Sequence, residues 1–185
     1  MIRPIYLYGS SVLRKVAEPA DTGDSAGLKT LVTDLWETLG ASDGCGLAAP
    51  QIGESVRVVI VDGDVMKDVY PYLEGFRRTF VNPEVLEESE ERVSYNEGCL
   101  SVPGIYCDVL RPKKIKVRYL DENLQEHTEE FDNFAARMIE HEFSHLDGEL
   151  FTDLVPPIRR KLVAKKLGNI ASGKTPTRYK SKLTK

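Results

Sequence analysis

At 185 residues, with 41% apolar and 29% charged side chains, the chain is long enough for one domain with a buried core. No apolar run approaches a membrane span and no signal core opens the sequence, so a cytoplasmic protein without membrane contact is expected. The net charge of −4 is unevenly spread: Arg159 to Lys185 holds ten Lys or Arg and no Asp or Glu, leaving 15 basic against 29 acidic residues before it.

In chain order, Ser25 is placed to cap a helix whose Leu28, Leu31, Val32, Leu35, Trp36 and Leu39 recur at helical spacing up to Gly40. Residues 55–61 predict a buried strand and residues 63–78 a loop. Residues 79–87 predict a strand that Pro83 confines to an edge or a bulge. Ile115, Val117 and Tyr119 alternate with Lys114, Lys116 and Arg118. Asp121-Glu122-Asn123 then turns the chain into a second alternating run to Phe131, which predicts a hairpin with His127 as an exposed strand residue. Asp132 or Asn133 can cap a helix running to about Asp147, with Gly148 as its stop. Pro157 begins a short helix carrying Ile158, Leu162, Val163 and Leu167 before Gly168. Together these elements make an α+β fold.

The chemistry concentrates on three stretches. In His141-Glu142-Phe143-Ser144-His145 two imidazoles lie four residues apart and so project from one helix face. Neutral imidazoles bind a divalent metal at about 2.0–2.1 Å, and Glu142 is placed to reach a water there. A catalytic metal usually takes three protein ligands. Glu97-Gly98-Cys99-Leu100-Ser101 offers the third, because small, turn-tolerant neighbours let a loop present the thiol. The other cysteines, Cys45 and Cys107, make no disulfide framework, and none is expected. In Gly44-Cys45-Gly46-Leu47-Ala48-Ala49-Pro50-Gln51 the small residues let the backbone run close to a ligand, and a glutamine amide follows. Without a Lys-Ser or Lys-Thr this is no phosphate loop.

In order and spacing, the three stretches resemble the signature motifs of the peptide deformylases. The resemblance begins at Ile5 and reaches about residue 165. It implies a metal-dependent hydrolase, with iron(II) as the working ion, that removes the formyl group from the initiator formyl-methionine of nascent polypeptides and releases formate. Zinc, nickel and cobalt suit the same donors. It also implies mixed and antiparallel sheets packed around a central metal-binding helix, with N-terminal and C-terminal helices. Cys99, His141 and His145 are the implied metal ligands and Glu142 the general base and acid. Gln51 and the Leu100 backbone N–H are the implied partners of the oxyanion. Gly46 would pair with the peptide backbone, and Cys45, Tyr95, Phe134 and Met138 would line the pocket for the methionine side chain.

Residues 1–168 are thus expected as one catalytic domain and residues 169–185 as a basic, mobile tail. The tail is either a solubilising extension or a contact with ribosomal RNA, and a monomer without DNA contact is expected. Two positions depart from the family pattern: Ser144 stands where Asp is usual and Glu140 where Gln is common. Arg111 is read as a surface residue or as one that orients peptide carbonyls. Two rival readings exist. A zinc endopeptidase would need a downstream third ligand, yet no histidine follows His145. A non-catalytic protein with a closed structural metal site would leave Glu142 and Gln51 unexplained.

Overall fold

Alternation of apolar and polar residues, interrupted by three apolar helical stripes, produces three small layers of secondary structure. The computed structural model describes residues 1–184, so Lys185 of the expected tail lies outside them. The strands are β1 (Ile5–Tyr6), β2 (Gly46–Ala48), β3 (Val58–Asp62), β4 (Arg77–Glu88), β5 (Arg92–Cys99), β6 (Val102–Pro112), β7 (Lys114–Leu120), β8 (Glu126–Asp132) and β9 (Ser181–Lys182). The helices are α1 (Ser25–Gly40), α2 (Asn133–Leu146) and α3 (Pro157–Ala171). Strands β2-β3-β4-β7-β8 form one antiparallel sheet, β5 and β6 form a separate antiparallel hairpin, and β1 pairs with β9 in parallel.

The unbroken apolar run of β3 has a simple cause: the strand is covered on both faces. Val59 and Val61 join Phe80, Ile115, Val117 and Phe131 beneath the α2 residues Ala136, Ile139, Phe143 and Leu146. Val58 and Ile60 face the α1 stripe of Leu28, Val32, Leu35 and Leu39. The β6 residues Ile105, Cys107 and Val109 alternate inward onto Leu167 and Ile170 of α3. Helix α2 therefore lies between the large sheet and the β5–β6 hairpin, with every residue from Ala135 to Leu146 buried.

Several expectations change in detail. Asp24, not Ser25, caps α1, its carboxylate accepting the Gly27 N–H at 2.9 Å. Strand β4 lies in the centre of the sheet, not at an edge; Pro83 is accommodated where the pairing slips between Val81 and Glu84, next to Asn82 at φ +50°. The expected loop 63–78 contains two 3₁₀ turns, Asp64–Met66 and Pro71–Leu73, and buries Leu73. The expected hairpin forms in full, with Lys114 opposite Asp132 and Leu120 opposite Glu126. Half-exposed His127 contacts Asp121 at 2.9 Å. Gly148 ends α2 at φ +72°, and a Cβ there would lie 2.8 Å from the Arg14 carbonyl oxygen. Helix α3 runs on to Ala171, and the expected tail then returns to the body through the β9–β1 pairing.

Candidate metal centre and substrate cleft

Helical spacing puts His141 and His145 on one face of α2, and the end of β5 brings Cys99 to them. Their ligand atoms all lie within 4.8 Å of one another, with Cys99 Sγ 3.3 Å from His145 Nε2. One thiol and two imidazoles are a donor set for a transition-metal ion. A second observation fits such a group: Glu142 Oε2 and His145 Nδ1 are buried without a hydrogen-bond partner among the described residues. Buried polar atoms are rarely left so, and Glu142 is the side chain expected to meet a water at the metal.

The site's charge is set by residues behind the ligands. Glu97 accepts two bonds from Arg111, at 2.8 and 3.1 Å, one from Arg137 at 2.5 Å, and faces His141 Nδ1 at 2.8 Å. Burial alone would raise the Glu97 pKa, but the bonds from His141 and Arg111 outweigh it and hold the carboxyl well below its usual range. Burial favours a neutral His141, whereas its contacts with Cys99 and Glu97 more than offset that and push it up to about 10. His145 is equally buried, with the positive charge of His141 and Arg111 beside it, and is lowered well below its usual value. Burial pushes Glu142 up to about 7, against the opposing pull of His141.

Ser144 does not leave a gap. Its hydroxyl accepts from Arg111 Nη1 at 2.9 Å and donates to the Glu140 carbonyl at 2.9 Å. Arg111 is accordingly a buried member of this network, not the surface residue or peptide contact considered from sequence. Glu140 is pushed up to about 7 by burial, and its Oε2 has no partner among the described residues.

A cleft of about 650 Å³ opens over the cluster, within the range of small-ligand sites. Its lining includes Cys45, Gly46, Gln51, Cys99, Leu100, Phe134, Met138, His141 and Glu142. Tyr95 is not part of the wall; it packs edge-on behind Phe134, with ring centroids 5.5 Å apart. Burial and the nearby Glu142 raise the Cys45 thiol to about 12, making it a neutral, small apolar surface. Gly46 has a steric duty: a Cβ there would lie 2.5 Å from Glu142 Oε1. Gln51 Oε1 accepts the Ala48 N–H at 2.8 Å. Its Nε2 donates to Ser101 Oγ at 3.1 Å and lies 3.6 Å from Cys99 Sγ.

The sequence reading missed Glu97, Arg111 and Arg137 as one unit, although Arg137 stands one helical turn before His141. It also missed Pro176–Tyr179, which lines the cleft. No local pattern marks that segment.

A sequence model described as polypeptide deformylase matches residues 2–161. The chain belongs to the polypeptide deformylase family. It is a hydrolase that removes the N-formyl group from nascent polypeptides, a reaction for which the family uses a divalent metal. The peptide deformylase of Flavobacterium psychrophilum is 42% identical over 190 residues, covering 99% of this chain and 97% of that protein. That of Pseudothermotoga lettingae is 42% identical over 179 residues, covering 97% and 98%. Among solved structures, the Thermus thermophilus peptide deformylase superposes with a TM-score of 0.83 at 35% identity, covering 94% of this chain and 99% of that one. A Plasmodium falciparum peptide deformylase gives 0.83 at 32%, covering 91% and 95%. No helix of the described residues is long and apolar enough to cross a membrane.

Proposed function

We propose that Cys99, His141 and His145 hold the family's divalent ion, iron(II), on a central metal-binding helix α2, and that Glu142 moves the protons of deformylation. The observation that carries this reading is the convergence of the three ligand atoms within 4.8 Å beside the unpartnered Glu142 Oε2. When bound, the ion supplies Lewis acidity that makes a water nucleophilic near neutral pH.

The chain's own groups do the rest. Glu142 takes a proton from the attacking water as its oxygen bonds to the formyl carbon. It returns that proton to the nitrogen as the C–N bond breaks, giving formate and a free amine. The Leu100 N–H and the Gln51 amide meet the charge on the former carbonyl oxygen. Gly46 lies on β2, an edge strand, which suits pairing with an extended peptide. Cys45, Phe134 and Met138 offer an apolar surface to the methionine side chain, with Tyr95 buttressing Phe134.

Formate release from a formyl-methionyl peptide by anaerobically prepared protein, with metal analysis, tests the reading. Glu142→Ala is expected to lower kcat by about 10²–10⁴-fold with one metal per chain retained. An unchanged rate in that variant would remove Glu142 from the mechanism. Arg159, Lys161, Lys165 and Lys166 are exposed on α3, which supports a contact with ribosomal RNA. Charge-neutral variants at these four positions should weaken ribosome co-sedimentation.

A further inference from the structure

The cleft has a wall that the three motifs do not supply. Pro176, Thr177, Arg178 and Tyr179 line it, although they lie in the segment expected to trail away from the body. Their position is fixed on the C-terminal side and braced from within. The Ile5 and Leu7 N–H groups donate to the carbonyls of Lys180 and Lys182, each at 2.9 Å, and Thr177 Oγ1 donates to the Tyr179 carbonyl at 2.8 Å. From this anchored strap the half-buried Tyr179 Oη donates to the Leu100 carbonyl at 2.5 Å.

That bond acts on a two-residue turn whose flanking residues, Cys99 and Val102, pair with each other. The turn Leu100–Ser101 joins β5, which ends at Cys99, to β6, which begins at Val102. At the far end the Tyr8 N–H donates to the Ser101 carbonyl at 2.7 Å and Gln51 Nε2 to Ser101 Oγ at 3.1 Å; at the near end Gln51 Nε2 lies 3.6 Å from Cys99 Sγ. Gly98, just before Cys99, lets the Tyr106 ring pack close, since a Cβ there would lie 2.5 Å from it. The phenol holds the Leu100 carbonyl, between those two ends.

We propose that Tyr179 is a positioning residue for deformylation, fixing the Leu100 carbonyl and, through the shared Cα, the preceding peptide plane, so that the Leu100 N–H stays aimed at the developing oxyanion. This rests on the reading of Leu100 as an oxyanion partner. Deleting an oxyanion donor outright costs about 10²–10³ in kcat, so loosening one costs less. Binding of the substrate side chain involves other walls of the cleft and should be little affected.

Tyr179→Phe removes the donor and keeps the ring. With formyl-Met-Ala-Ser as substrate, the expected result is a fall in kcat of about tenfold, KM within about twofold and full metal content. Hydrogen exchange at the Leu100 and Ser101 amides should quicken while the α2 amides stay protected. An unchanged kcat, a loss carried by KM, or a loss that tracks metal content would overturn the proposal. Should the unaltered protein release no formate, the reading of the whole site falls, and the tether is then judged by exchange alone: unchanged exchange at Leu100 refutes it.

Discussion

Helices α2 and α3 are nearly equal in length, 14 and 15 residues, and are held in opposite ways. Helix α2 is buried from Ala135 onward and includes Arg137, Glu140, His141, Glu142, Ser144 and His145 among its buried residues. Only Leu167 and Ile170 of α3 are buried, while Ile158 and Leu162 remain 67% and 70% exposed. The difference teaches where stability has been committed to chemistry. Buried charges persist only when paired and hydrogen-bonded, so α2 depends on groups outside itself, above all Glu97, whereas α3 rests on the apolar Leu167 and Ile170 with Val163 partly buried beside them.

The most damaging way to break the contrast is Glu97→Ala, which strips the acceptor from Arg111, Arg137 and His141 at once. Removing one member of a buried ion network costs about 3–5 kcal/mol. For a chain of this size that lowers Tm by roughly 6–20 °C in thermal unfolding. Metal affinity should fall by about 10–100-fold, since a carboxylate behind a ligating histidine is lost. A Tm within a degree or two of the unaltered protein would show that the arginines find other partners. Ser144→Ala is a finer cut: Arg111 loses one of its acceptors but keeps Glu97 and the Glu140 carbonyl. A loss of about 1.5 kcal/mol is expected from chemical denaturation. The smallest effect belongs to α3, where Leu162→Ser should change stability by less than about 0.5 kcal/mol. If Leu162→Ser proved as costly as Ser144→Ala, α3 would have a partner in solution and the contrast would fail.

What could be read from sequence follows the same division between local and distant causes. The pairing of His141 with His145, the hairpin from Lys114 to Asp132 and the apolar face of α1 are periodicities, and periodicity is written in consecutive residues. The role of Glu97 is not: its partners lie 14, 40 and 44 positions away. Arg111 looked peripheral for the same reason. Pro83 pointed to the bulge but could not place β4 at the sheet centre, because a strand's neighbours are set by the whole topology. Tyr95 was placed in the pocket by resemblance, whereas its ring supports Phe134 from behind. Residues 176–182 were illegible because a two-residue parallel pairing leaves almost no compositional trace.

That pairing also bears on the order in which the molecule becomes complete. Strand β1 is translated before β9, so Ile5 must wait for Ser181, 176 positions later. A nascent copy halted near residue 172 would already possess Cys99, Glu142 and both histidines, together with the strands and helices that support them. It would lack the strap beside Leu100 and the partner of Ile5 and Tyr6. Completion of the cleft is thereby deferred until residues 176–182 have been translated.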